Sequence, residues 1–368
     1  MTLTNYWWLL IWMFTGAAFL AVFMPKREEI VLGKKEMRWT PLAAVLAVLP
    51  YIIWAGFRGD VADTYLYRKL FNEMPTSLSN IVEYMSTINK DKGFSVLSVI
   101  IKSIIGNNSI IYFMIFAVFQ LGILIFIFRK YSCDYWFSIF VFIASTDYIS
   151  WMYNGLRQFT AVTIIVAGLP LYLKRKYIPS ILLILLASTL HGSALLMIPV
   201  LFILDGKAWN KKTILSIIVC GLILIYISQF TNILDTLLAD TQYKNVISDW
   251  KEFQDDGMNP IRALVYAIPM ILSIVGYRFI YKEDDILINF CTNASILTVL
   301  LCIIATQTSG IFIGRLPIYV SIFATSILLP WEIDHIFTKS SAQIIKIVAV
   351  VCYCVFFYYQ MHFTWNFI

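Results

Sequence analysis

Ionisable side chains are sparse in this chain, and several fall beside apolar runs where charge is costly. WAGFRGDVADTYLYRKLF, residues 54–71, brings Arg58, Asp60, Asp63 and Arg68 straight after one such run. MYNGLRQF puts Arg157 and Gln158 at the start of another; His191 lies inside LLASTLHGSALLMIP, and Arg315 inside GIFIGRLPIY. Arginine keeps its charge at membrane depth and grips phosphate oxygens through paired N–H donors. A neutral histidine or an ionised aspartate takes a proton from an attacking hydroxyl. Together these residue types suit glycosyl transfer from a polyprenyl-diphosphate sugar, because charge builds on the diphosphate as its bond breaks. Arg157 and Arg315 would hold the diphosphate with help from Arg58. His191, Asp63 or Asp60 would supply the base, and histidine needs the least tuning to act near neutral pH. Tyr65 and Tyr67 offer rings for sugars, and Gln158 a polar contact. A blander part is open to Asp63, as the N-cap of a helix over VADTYLYRKL.

The elements that must position these residues are membrane helices. Of 368 residues 60% are hydrophobic and 14% charged, which places the chain among all-α polytopic membrane proteins rather than soluble ones. Apolar runs such as ILLILLA do not alternate, which argues against a barrel. Helices are expected near 6–24, 41–57, 110–128, 134–150, 154–173, 178–190, 192–204, 213–230, 261–281, 286–306, 311–330 and 343–366. That is about 10–12 membrane helices, short or re-entrant ones included, in a single integral membrane domain over 1–368. The loops about 58–92 and 231–260 are the longest polar stretches. No cleavable leader is read at the start, since the first run lacks a basic beginning and a small-residue cleavage site.

Lys26, Arg27, Lys34, Lys35, Arg38, Arg129, Lys130, Lys174, Arg175, Lys176, Lys207, Lys211 and Lys212 mark four cytoplasmic loops by the positive-inside rule. Those loops agree if 93–106 dips in or lies on the outer surface, and if 178–204 folds as two short helices with His191 at their tip. The loops 58–92 and 231–260, Arg157, His191 and Arg315 then all face outward, at a recess below the outer surface.

Other chemistries are less well served. Three scattered histidines give no zinc pattern, and Asp60 with Asp63 is a weak cation pair, so no metal and no cofactor is expected. There is no Walker A or GxGxxG run. Basic residues scattered over short loops give nucleic acid no surface. Six cysteines without a CxxC pair read as small apolar residues.

FRGDVADTYLYRKLF, YNGLRQFTAV, TLHGSALLMIPV and IGRLPIYV, in that order and spacing, resemble the EpsG family of bacterial exopolysaccharide proteins, related to Wzy-type polymerases. The family commonly carries a glycine-aspartate-threonine run; here Gly59-Asp60 and Asp63-Thr64 are separated, and the spacing to Tyr67 favours Asp63 as the matching residue. The resemblance implies polymerisation of undecaprenyl-diphosphate-linked oligosaccharide repeat units for exopolysaccharide, capsule or O-antigen, outside the bacterial cytoplasmic (inner) membrane. It implies a helical bundle similar to the GT-C class, a growing chain as donor, a new lipid-linked unit as acceptor, and chain-length regulator and flippase proteins as partners. A glycan ligase or other lipid-linked-sugar transferase, and a transporter or flippase of the same lipid-linked unit, are the alternatives.

Overall fold

The computed structural model describes residues 5–237 and 257–368. The middle of the expected 231–260 loop therefore lies outside the described residues. The chain forms two compact units: Met1–Ile198 with Gln343–Ile368, and Pro199–Ala342. Every one of the twelve expected segments is helical, but they differ in reach. Five helices are long and apolar enough to cross a membrane: Ser109–Tyr131, Leu156–Leu173, Ile286–Thr306, Ile313–Ile336 and Lys339–Thr364. Two bent pairs raise the count to seven. Lys211–Ile225 meets Ile227–Thr236 at 96°, and Pro260–Val275 meets Tyr277–Glu283 at 72°. The remaining five, among them Pro41–Gly56 and Tyr177–Leu190, have 10–17 residues. A hydrocarbon core of about 30 Å needs roughly 20 helical residues, so of the expected ten to twelve membrane helices, short or re-entrant ones included, five to seven are full-length candidates among the described residues.

In the first unit the 109–131 helix packs along Pro41–Gly56 and against the start of Leu156–Leu173. Its core is aromatic: Tyr51, Tyr112, Phe113, Phe137, Phe140, Tyr148 and Trp151 are fully buried. Large rings fill space, and a buried hydroxyl needs a partner. Tyr51 donates to the Leu9 carbonyl and Tyr148 to the Tyr51 carbonyl, each at 2.7 Å, and Tyr135 donates to the Ala44 carbonyl at 2.9 Å. The expected 134–150 helix is two helices, Tyr135–Ala144 and Asp147–Tyr153, broken where Thr146 adopts a left-handed backbone with φ 65.

The first basic loop is not a loop. Lys26–Val31 and Lys34–Trp39 pair antiparallel around a two-residue turn. Arg129 donates to the Trp39 carbonyl at 2.6 Å and pairs with Glu29, while Arg38 donates to the Ser132 carbonyl at 2.7 Å. These arginines sew the hairpin to the end of the 109–131 helix.

The second unit is built around Ile286–Thr306, which packs on 260–275, on 211–225 and on the 313–336 helix. Cys220, Ile296, Leu300, Ile304, Ala305 and Ile313 form its buried cluster. Asn293 accepts the Trp209 N–H at 3.0 Å and donates to the Leu204 and Lys207 carbonyls at 3.1 Å, so one amide satisfies a whole backbone turn.

Candidate active site

Residues 58–63 fold as a tight turn. The Val61 N–H donates to the Gly59 carbonyl at 2.9 Å, and Ala62 takes a left-handed backbone with φ 49. Arg68 binds Asp60 at 2.9 Å and donates to the Arg58 carbonyl at 3.1 Å, tying the turn to helix Thr64–Glu73. Asp60 is thereby an exposed partner of Arg68. Arg58 points inward. It is 2% exposed, with its guanidinium 3.8 Å over the Phe113 ring and 5.4 Å over Tyr153. A cation on a desolvated aromatic face gains about 1–2 kcal/mol, which suits a brace behind the site.

Asp63 turns the other way. It stands at the N-cap position of 64–73 but makes no side-chain cap, so the blander part open to it is not the one it takes. Its carboxylate accepts the Gly155 N–H at 2.8 Å, and its own N–H donates to the Tyr153 carbonyl at 3.1 Å. Gly155 has φ 60, a left-handed conformation that glycine adopts freely, and this turn launches Leu156–Leu173 with Arg157 in its first turn. The Arg157 N–H reaches the Tyr67 hydroxyl at 3.5 Å, the long limit of a hydrogen bond. Tyr67 is buried; that burial lifts its phenol above the ordinary range against the opposing pull of Arg157, so it stays protonated at neutral pH. The two motifs around Asp63 and Arg157, ninety residues apart, therefore meet directly.

The Arg157 guanidinium meets a residue that sequence reasoning missed. Its Nη1 binds Asp91 Oδ2 at 3.0 Å, with side chains 24% and 10% exposed. Asp91 precedes helix Lys92–Ile105. A cation in a helix's first turn is disfavoured by the helix dipole, and Asp91 supplies the counter-charge. Next to it Lys90 has its ammonium pulled down by partial burial and by the Arg157 charge, with Asp91 opposing.

His191 closes helix Tyr177–Leu190, in extended backbone, with Nδ1 2.7 Å from Ser193 Oγ in the turn that follows. The break expected at this histidine is present. Two packing facts connect it to the rest. Leu156–Leu173 lies along 177–190 and against the 192–196 turn. Gly93, two residues after Asp91, sits so close to Thr189, two residues before His191, that an added Cβ would lie 2.8 Å from the Thr189 carbonyl oxygen. The first unit thus gathers Asp63, Tyr67, Asp91, Arg157 and the His191–Ser193 pair on adjoining helix ends. Gln158 is buried, whereas Tyr65 is 63% exposed. Arg315 belongs to the second unit, on the short turn Ile313–Arg315. Among the described residues, no group of three or more His, Cys, Asp and Glu side chains is placed to hold a metal ion.

A family profile described as the EpsG family matches residues 42–366, nearly the whole chain. The chain belongs to the EpsG family. EpsG is a family of Wzy-type polymerases, and membership points to a glycosyltransferase-type polysaccharide polymerase in a membrane. No curated protein and no solved structure matches it. The EpsG match spans both motifs that meet at Gly155–Arg157, the His191 break and Arg315.

Proposed function

We propose that this EpsG protein polymerises undecaprenyl-diphosphate-linked oligosaccharide repeat units by glycosyl transfer at the outer face of the bacterial cytoplasmic membrane. The observation that carries this reading is the meeting of Asp63, Tyr67 and Asp91 around Arg157, next to His191. Arg157 binds the donor diphosphate, where it offsets charge on the leaving oxygen. Arg58 acts from behind, through Phe113 and Tyr153. His191 takes the proton of the acceptor hydroxyl as the acceptor oxygen bonds the anomeric carbon and the electron pair of the broken C–O bond leaves with the diphosphate. The contact with Ser193 Oγ orients the ring. Asp63 holds the turn that aims Arg157. Tyr65, Tyr67 and Gln158 contact sugar or phosphate, and the bundle is of the GT-C kind.

The test uses purified chain in nanodiscs with synthetic lipid-diphosphate repeat units and no nucleotide sugar or metal. The expected result is a ladder by gel or mass spectrometry that Arg157→Ala abolishes. Transfer onto a different acceptor without a ladder would make the protein a ligase. Movement of the lipid-linked unit across liposomes with no transfer would make it a transporter.

A further inference from the structure

Asp91 lies outside every motif that marks the site, yet its geometry is specific. An aspartate before a helix ordinarily turns its carboxylate onto the second or third amide of that helix, a stabilising cap. Asp91 makes no such bond. It also holds a left-handed backbone, φ 51 and ψ 42, a conformation disfavoured for residues with a Cβ though less so for aspartate. Two local penalties accompany one result: Oδ2 aimed at Arg157 Nη1, 3.0 Å away, with the carboxylate largely out of water. Lys90, the residue before Asp91, brings a second cation to the same turn. Two carboxylates and two cations gather here: Asp63 is turned onto the Gly155 N–H, and Asp91 pairs with the Arg157 guanidinium.

That balance fits an anion that is absent until substrate arrives. A diphosphate diester brings two negative charges and offers arginine a geometry for two parallel hydrogen bonds. We propose that Asp91 is the resident counter-ion of the donor site. It holds Arg157 aimed while the site is empty and yields it to the substrate's diphosphate, with Lys90 as the second cation. The inference rests on the polymerase reading above. The exchange swaps one ion pair for another, and no covalent bond or proton moves. With diphosphate bound, Asp91 stands beside a like charge. It therefore lowers affinity for the anion and speeds release of the polyprenyl diphosphate left after transfer.

This predicts a sign that a mere brace would not. The experiment measures binding of farnesyl diphosphate to the full chain in nanodiscs, at low and high salt. Asp91→Asn is expected to bind about tenfold more tightly than wild type, since it removes a like charge from beside the bound anion. Its kcat and KM should fall together, as release becomes slow. Lys90→Gln is expected to bind about tenfold more weakly, with a shallower salt dependence. Asp91→Asn that melts like wild type but binds no tighter would overturn the proposal. So would unchanged affinity in Lys90→Gln, a change at an exposed side chain that decides the matter even where Asp91→Asn fails to fold. The same wild-type preparation is assayed for the ladder. A missing ladder sinks the polymerase reading, and a ladder with the wrong sign at Asp91 sinks only the counter-ion.

Discussion

Asp63 and Asp91 occupy equivalent positions, each just before a helix, and both send their carboxylates to residues 155–157 instead of capping. The outcome differs because one meets a backbone N–H and the other a guanidinium. Asp63→Asn still offers an amide oxygen to the Gly155 N–H and should keep turnover within about tenfold, while Asp63→Ala leaves that N–H unpaired and costs about 1–3 kcal/mol. His191→Ala should lose about a hundredfold to ten-thousandfold in turnover if the imidazole is the base. Turnover of the lipid-linked donor by the three variants checks both: abolition in Asp63→Asn with retention in His191→Ala would exchange the roles. The motifs around Asp63, Arg157 and His191 were legible because charge beside an apolar run is conspicuous. Asp91 was not, since NKDKG is an ordinary polar loop until the fold shows which way its aspartate points.

At the scale of elements, the 64–73 helix needs an anchor, because its last carbonyls have no partner within the helix. Lys102 provides one. Its ammonium is buried and donates to the carbonyls of Phe71, Asn72 and Met74 at 2.6, 2.8 and 2.7 Å. In the sequence this lysine is one charge inside the short apolar run 93–106; its use became visible with the helix end it caps. Lys102→Met keeps the bulk but orphans three carbonyls, and should destabilise the protein by about 2–4 kcal/mol, read as a lower midpoint on thermal unfolding in detergent. Gly93 is the second fixing point. Gly93→Ala forces the 92–105 and 177–190 helix ends apart, since the new Cβ would meet Thr189 side chain and backbone together. Turnover should drop with little change in melting, because the shift falls on the segment carrying Asp91 and His191. The hairpin at 26–39 escaped sequence reading for a different reason. Its strands alternate charge with few apolar residues, and its pairing depends on Arg38 and Arg129 reaching elements far along the chain.

Over the whole molecule, the twelve apolar segments and the break at His191 were legible, and the break at Thr146 was not. Thr146, an ordinary residue in an apolar run, carries the left-handed backbone that splits the expected 134–150 helix, and no local signal announces it. The proposed orientation rests on where the basic residues lie, and the hairpin makes it testable. Its exposed lysines put positive charge on whichever side keeps the loop before 41–56, and the rule for lysine and arginine assigns that side to the cytoplasm. The proposed orientation has Pro41–Gly56 cross the membrane with its 16 residues, and so puts the 64–73 and 92–105 helices, with Arg157 and Asp91, on the opposite side. In a Cys352→Ser background, which removes an exposed native thiol, Ser79→Cys should react with a membrane-impermeant maleimide on intact spheroplasts. Lys35→Cys, on the exposed strand, should react only after lysis. The reverse pattern would place the diphosphate cluster in the cytoplasm, where nucleotide-linked donors are available, and would remove the reason to look for a polyprenyl-linked substrate at Arg157.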